Sequence, residues 1–513
     1  MKTAILAIPR LEPHRPPPGP AIVANLCASM GHQVVMYDLN IKLFNFCKKH
    51  NVDYHGLDTI FDKVSDPTQT QLEFLNSFMY YWADQLVHKD YDYVMLGVFG
   101  MSAQWFAEHF LKILRPKIQS KIVIGGMGVG VTGLLHKNTC FGESMKSQNL
   151  IDDYIVGEAE RSLISYLNGV PGPGINNTEI SQIEDIENLP VPDYSYFDLT
   201  EYDYLHNNQK EVYITGSRGC VRKCSYCDVE KFWPKYRYRS GNSIATEIIE
   251  NYEKFGITRF YFTDSLINGS LKVFADMCDI LSNYNFPTKI SWSGQFIFRN
   301  QKALPKNHFE TMAKAGADIL YVGVETGSDR LRREIGKNFS NDDIDFQLEQ
   351  CSRYKVKVIP LMFTGYVTET LQDHIENLEI FRRWQKYVAD GTIPGIELGS
   401  GLAVLQGAPI ERMLDQYGMS FLLDQNQMPV NTVWQSQINP DLDIREQIRR
   451  RIEVHETAIK YKWPVWRQHS RLKEFQRWIL QNQLHKSPKD FYRIIDNNKN
   501  TSQPKKIIPL RTA

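Results

Sequence analysis

Three cysteines stand within eight residues, Cys220-Val221-Arg222-Lys223-Cys224-Ser225-Tyr226-Cys227, in the spacing C-x3-C-x2-C. An apolar run, Val212-Tyr213-Ile214, and a turn, Gly216-Ser217-Arg218-Gly219, precede them, so the cysteines occupy a loop that leaves a strand. Three thiolates on one tight loop can bind three irons of a cubane cluster. A fourth cysteine would close the cluster; without it one iron keeps a position for a substrate. Two other readings exist. A zinc knuckle needs a fourth ligand, and none lies close by in sequence. Three unrelated buried thiols would need no ligand at all.

The elements that must position this loop follow a β/α rhythm from Glu211 onward. Val212 to Thr215 reads as the first strand. A helix from Ser243 to Phe255 carries Ile244, Ile248 and Tyr252 on one face and stops at Gly256. Arg259–Thr263, Lys289–Trp292, Ile319–Val324, Lys357–Phe363 and Ile396–Leu398 read as five further strands. Six such units predict a partial (β/α)6 TIM-type barrel with its chemistry on the loops at the carboxyl face.

The cysteine spacing resembles that of the radical S-adenosylmethionine (SAM) superfamily, with Tyr226 at the aromatic position before the last cysteine. The resemblance implies a [4Fe-4S] cluster on Cys220, Cys224 and Cys227, SAM chelated at the open iron, and reductive cleavage of SAM to a 5′-deoxyadenosyl radical. Further matches fall at strand ends. Tyr321-Val322-Gly323-Val324-Glu325-Thr326-Gly327-Ser328 is similar to the fourth-strand segment, which implies SAM contacts for Glu325 and Ser328; a helix-terminal acid and cap are the alternative there. Asp264, in Phe262-Thr263-Asp264-Ser265, is expected either to touch SAM or to cap the next helix. Ser293, Gln295 and Arg299 resemble the third strand and its loop, facing SAM or substrate. Gly365 resembles the fifth-strand segment, where Val367 replaces the usual proline. The loop after the sixth strand matches only at Gly407 and Pro409.

The first part of the chain alternates strands and helices too. Thr3–Ile8, Gln33–Tyr37, Tyr93–Val98, Lys121–Ile124 and Asp153–Val156 read as strands, with helices over Ala21–Met30 and Ser102–Leu114. This pattern predicts a doubly wound parallel sheet binding its ligand at the carboxyl ends of the strands. Pro16-Pro17-Pro18-Gly19, Met30-Gly31-His32-Gln33-Val34, Asp38-Leu39-Asn40, Ile124-Gly125-Gly126 and Val156-Gly157-Glu158 resemble, in that order, the cobalamin-binding domain upstream of many radical SAM domains. The resemblance implies cobalamin contacts for Pro18, Gly19, Asp38, Asn40, Ser102, Gly125, Gly126 and Glu158. The D-x-H-x-x-G signature of an axial histidine is absent; His14 lacks that context, and Asp53-Tyr54-His55-Gly56 misplaces the glycine. No histidine ligand to cobalt is expected. The alternative is a flavodoxin-like sheet without a corrin.

The expected order is therefore a Rossmann-like domain of cobalamin-binding type over 1–170, a linker over 171–205, the partial barrel over 206–428 and a helical region over 429–513. That last region carries Trp434, Trp463, Trp466 and Trp478 among basic residues. It reads as a cap on the barrel or as a surface for RNA or an acidic peptide. In 513 residues, 59 Lys+Arg balance 59 Asp+Glu, which disfavours nucleic acid as partner. The start reads as a strand and not a signal peptide. No apolar run approaches the ~20 residues of a membrane helix. Eight cysteines, three of them clustered, point to a reducing cytoplasm. Cys27, Cys278 and Cys351 read as core thiols. The resemblance implies an electron donor such as flavodoxin or ferredoxin. Its commonest outcome is cobalamin-dependent methylation of an unactivated carbon. Radical cyclisation or rearrangement, a tRNA methylthiotransferase using Cys27, Cys47 and Cys140 for a second cluster, and a non-catalytic cobalamin- or cluster-binding module are the rivals. The substrate is not named by the sequence.

Overall fold

The computed structural model describes residues 1–62, 66–130, 140–205, 209–399, 401–423 and 429–466. The chain divides between Tyr213 and Ile214 into two compact units. Among the described residues no helix is long and apolar enough to cross a membrane.

The first unit is built on five parallel strands, β1 (Lys2–Ala7), β2 (Gln33–Asp38), β3 (Tyr93–Gly97), β4 (Lys121–Gly125) and β5 (Asp153–Ile155), in the order β2-β1-β3-β4-β5. Alternation along β1 explains its two-sided burial: Ala4, Leu6 and Ile8 enter one core layer, Ile5 the other. The strand order reverses between β1 and β3, and in such sheets that switch point opens a crevice at the carboxyl ends. The loop after β1 and the segment Val98–Gly100 after β3 stand there. Residues 171–205, expected as a linker, pack onto this unit instead. Gly174 lies against Val156, Tyr194 is fully buried, and the Tyr202 hydroxyl donates to Asp38 at 2.6 Å.

The boundary between the units falls inside β6 (Glu211–Ile214). A short antiparallel ladder follows, β7 (Ser217–Arg218) with β8 (Arg237–Tyr238). Then come β9 (Arg259–Phe262), β10 (Ser291–Phe296), β11 (Ala317–Glu325), β12 (Lys357–Met362) and β13 (Ile396–Leu398). The strands β6 and β9 to β13 lie side by side in chain order, the order of an open barrel wall, and the pairings from β9 to β13 are parallel. Trp292 and Phe296 on β10 face the helices, and Ser293 and Gln295 face the other side with Tyr261 and Tyr321.

The region after 428, expected to be helical, opens on a strand that pairs back onto the end of the region expected as barrel. β14 (Met419–Leu423) and β15 (Pro429–Ser436) form an antiparallel pair, and β16 (Val465–Trp466) adds a seventh strand beside β13. The pair β14–β15 is a local hairpin that the helical reading passed over, whereas β16 finds its partner β13 far away in sequence, so pattern alone missed it. The helix Ile444–Lys460 does form. Trp434 and Trp463 pack inward and donate to Leu402 O and Phe381 O, as a cap requires. Trp478 and the basic stretch 467–477 lie outside the described residues.

Candidate active site

The cysteine loop hangs from the β7–β8 ladder, which closes its base. Asp264, at the end of β9, fixes that base: its carboxylate accepts from Gly216 N at 2.9 Å and from Ser217 Oγ at 2.5 Å. Burial pushes Asp264 up to about 6. Asp264 thus anchors the backbone leading to Cys220, in place of the SAM contact or helix cap expected from the sequence. Within the loop, Cys227 N donates to Cys224 O at 3.1 Å, and Arg222 N approaches Cys220 Sγ at 3.4 Å. The far side is held by the helix Asp329–Ile335, whose last carbonyl accepts from Ser225 N at 3.0 Å. Ser225 Oγ accepts from the Tyr366 hydroxyl at 2.8 Å.

The three thiols act on one another electrostatically, and burial pushes Cys224 up to about 11 and Cys227 up to about 12. Among the described residues, no three His, Cys, Asp or Glu side chains crowd on one point as a single ion needs. A zinc ion with Zn–S near 2.3 Å would draw its sulfurs within about 4 Å of each other. A cubane takes one thiolate per iron and does not require that crowding. The charges nearby suit an anionic group. The Nε atoms of Arg222 and Arg299 are buried without a partner. Burial and then Arg222 push the Arg299 guanidinium down, with Cys220 close enough to oppose the shift. An anionic cluster on Cys220 would neutralise this pair, so the donor set and its surroundings fit a cluster with three protein ligands.

Beside the loop opens a cavity of about 240 Å³, lined by Tyr226, Glu325, Leu361, Met362, Phe363 and Glu397, with Gly399, Gly401, Leu402, Ala403 and Leu405. The Tyr226 and Phe363 rings meet edge to face at 5.0 Å. Glu325 ends β11 with φ 66°, a left-handed conformation that a glutamate adopts only when held there. The holding groups are visible. The fully buried Arg332 donates to Val324 O at 3.4 Å and to Thr326 O at 2.6 Å, the carbonyls on either side of Glu325. Lys337 Nζ donates to Glu325 Oε1 at 2.5 Å and to Gly323 O at 2.8 Å. A Cβ at Gly323 would displace both the Glu325 carboxylate and the Lys337 ammonium, so the glycine leaves room for the pair. Burial, then Glu325, pushes the Tyr226 phenol well above its usual range.

Of the SAM candidates, only Tyr226 and Glu325 line the cavity. Ser293 and Gln295 lie lower on the sheet face that carries Tyr321. Ser328 takes the cap alternative: it is fully buried, caps the helix Asp329–Ile335 and donates to Asp373 at 2.5 Å. Gly365 has φ 77° and donates its N–H to Glu369 at 2.7 Å; Glu369 in turn pairs with Arg450, so this segment is closed on itself. Lys337, Phe363 and Glu397 were missed. Lys337 carries no motif, whereas a lone charge inside the apolar triplet Ile396-Glu397-Leu398 was a usable signal.

In the first unit the candidates separate into builders and free positions. Asp38 caps the helix Leu39–Lys49 and is buried, with burial pushing it up to about 6. Asn40 accepts from Leu11 N and the Tyr54 hydroxyl, tying down the loop after β1. Glu158 accepts from Ile183 N at 2.5 Å. Gly126, at φ 113°, gives its missing Cβ to Val98, whose carbonyl would lie 2.6 Å away. In all four the side chain, or the missing Cβ, already serves the fold. Ser102 donates to Asp62 at 2.5 Å. Pro18 and Gly19 begin the helix Pro18–Ser29, and Gly19 faces open space; a Cβ on Gly125 would meet nothing nearer than 3.8 Å. Phe99 and Met101 are exposed at the end of β3, 67% and 42%. An open edge with bare apolar side chains at a switch point fits a large flat macrocycle. His14 is bonded through Nδ1 to Asp203 O at 2.6 Å and is no free imidazole.

Residues 214–379 match the radical SAM superfamily. This segment is a radical SAM domain. The anaerobic magnesium-protoporphyrin IX monomethyl ester cyclase of Synechocystis sp. is 22% identical over 245 residues, 44% of this chain and 46% of the relative. Other matching relatives are named methyltransferases and methylthiotransferases. The chain spans half or less of the length of the first four of these curated relatives. Among solved structures, the radical SAM methyltransferase TsrM of Kitasatospora setae, with cobalamin and a [4Fe-4S] cluster bound, is similar over 97% of this chain and 99% of that one, with TM-score 0.60 and 11% identity. The cobalamin-dependent SAM radical enzyme OxsB, with aqua-cobalamin and SAM bound, is similar over 97% of this chain and 75% of that one, with TM-score 0.60 and 14% identity. Both likenesses are of fold.

Proposed function

We propose that this radical SAM enzyme cleaves SAM reductively at a [4Fe-4S] cluster and uses cobalamin to methylate an unactivated carbon. The observation that carries the reading is the cysteine loop set beside a cavity lined by Tyr226 and by Glu325, which Lys337 holds, at the carboxyl edge of a parallel sheet. Cys220, Cys224 and Cys227 would hold the cluster, which supplies one electron to break the sulfonium–C5′ bond and release methionine. Glu325 offers a fixed carboxylate to an ammonium or a ribose hydroxyl. Tyr226 and Phe363 offer apolar wall, and the bend from Gly399 to Leu405 offers backbone polar groups. In the first unit, the ends of β1 and β3 would take the corrin, which supplies a methyl carrier.

The test is anaerobic purification with cobalamin supplied. Iron and corrin are counted, then reduced protein is given SAM and 5′-deoxyadenosine is measured. About one corrin per chain and 5′-deoxyadenosine that disappears in Cys220→Ala support the reading. Iron without corrin would remove cobalamin from it. The relatives named cyclases make a second reading concrete. Methyl-deuterated SAM separates the two in a cell-extract pool: methylation places the label in product, and cyclisation consumes SAM without placing it.

A further inference from the structure

Lys337 has a place in the site that the cavity's chemistry does not explain. It is 7% exposed, yet it carries an ammonium. Two of its three donors go to Glu325 and to Gly323 O. The chain reaches it across the back of the cysteine loop. Ile335 O accepts from Ser225 N. Gly336, at φ 103°, presses on the loop so closely that a Cβ would stand 3.2 Å from Lys223 O and 3.5 Å from Cys224 Cα. Lys337, next in sequence, therefore leaves the chain beside the Cys224 backbone and sends its ammonium to Glu325.

We propose that Lys337 is a positioning residue that fixes Glu325 and raises the reduction potential of the cluster held by Cys220, Cys224 and Cys227. The proposal rests on the cluster-binding reading above. Its physics is direct. Reduction adds one electron to the cluster. A fixed cation nearby, in a buried setting where screening is weak, stabilises the reduced form, and the neighbouring carboxylate opposes it. Arg332 and Gly323 keep the geometry from relaxing: one locks the backbone around Glu325, the other leaves room for the pair.

The experiment uses the full chain, reconstituted anaerobically without SAM, as wild type, Lys337→Gln, Lys337→Arg and Glu325→Gln. Iron is counted, and the cluster is titrated with a reductant while electron paramagnetic resonance follows the reduced state. Lys337→Gln keeps hydrogen-bond donors but not the charge. It is expected to hold its iron and to be about tenfold harder to reduce, ~59 mV for one electron. Glu325→Gln is expected to shift the other way, and Lys337→Arg to stay near wild type. A purely structural role would not give opposite signs. Shifts of the same sign, or none, overturn the proposal. So does loss of iron from Lys337→Gln alone, which would make Lys337 a scaffold of the loop. Wild-type protein that binds no iron sinks the cluster reading and this proposal together, and that count identifies the case.

Discussion

Asp264 shows how a residue at a catalytic edge can serve the backbone and not the ligand. Its carboxyl is buried under the turn that launches the cysteines, and burial holds it at about 6, above the ordinary 3.8. The sign follows from proton linkage. Between about pH 4 and 6 the folded state binds the proton more tightly than the unfolded state, so stability falls as pH rises through that window and levels off above it. Asp38 has the same shift from the same cause. Thermal unfolding of Asp264→Asn is therefore expected to lose part of this slope and not all of it. An unchanged slope would show that Asp264 is not buried as described. Arg332 gives a sharper expectation. Arg332→Met orphans the carbonyls of Val324 and Thr326 and is expected to destabilise by about 3 kcal/mol or more, at about 1–3 kcal/mol for each buried group left unpaired. Chemical denaturation measures it. Neither role was legible from sequence. The cysteines announce themselves by spacing, and Glu325 by its place at a strand end. Asp264 looks like a ligand residue until its partners, more than 40 positions away, are seen; for Ser328 the cap was legible and only its bond to Asp373 was not.

At the scale of elements, the glycines at the ends of strands divide cleanly. Gly126 sits at φ 113° against Val98, a conformation and a contact that only glycine accepts. Gly126→Ala is expected to cost on the order of 2 kcal/mol, within the range for such backbone strain. Gly19 and Gly125 meet no such neighbour. Gly19→Ala and Gly125→Ala are expected to fold as wild type and to weaken corrin binding, read by corrin retained per chain after gel filtration. Retention at the wild-type level in both would move the corrin away from the β1 and β4 ends. Strands and helices were legible here because their periods are local: the alternation along β1 and the three-to-four spacing over Ser243–Phe255 need no partner. The glycine roles were not, because a glycine kept for a ligand and a glycine kept for a neighbouring backbone leave the same letter. The seventh strand β16 escaped for a related reason: its pairing with β13 is non-local, and a two-residue strand has no period to read.

Over the whole molecule, the chemistry open to the chain depends on how many clusters it holds. A methylthiotransferase reading needs a second cluster in the first unit, built from Cys27, Cys47 and Cys140. The doubly wound sheet keeps these apart. Cys27 lies in the core layer that takes Ile5 of β1, and Cys47 and Cys140 lie in the layer that takes Leu6. Adjacent residues of one strand point to opposite faces, so the sheet itself stands between the thiols. Burial also pushes Cys27 and Cys47 up to about 12, and Cys140 is already bonded to Val129 O at 3.2 Å. Iron per chain is then expected near four, the content of a single cubane. Cys220→Ala, Cys224→Ala or Cys227→Ala should each abolish most of it. The triple variant of Cys27, Cys47 and Cys140 to Ala should keep it, with a loss of stability from three small core cavities. A count near eight that falls by half in the triple variant would restore the two-cluster chemistry. Near four in both proteins leaves one radical-generating centre, and the first unit is then free to carry a different cofactor.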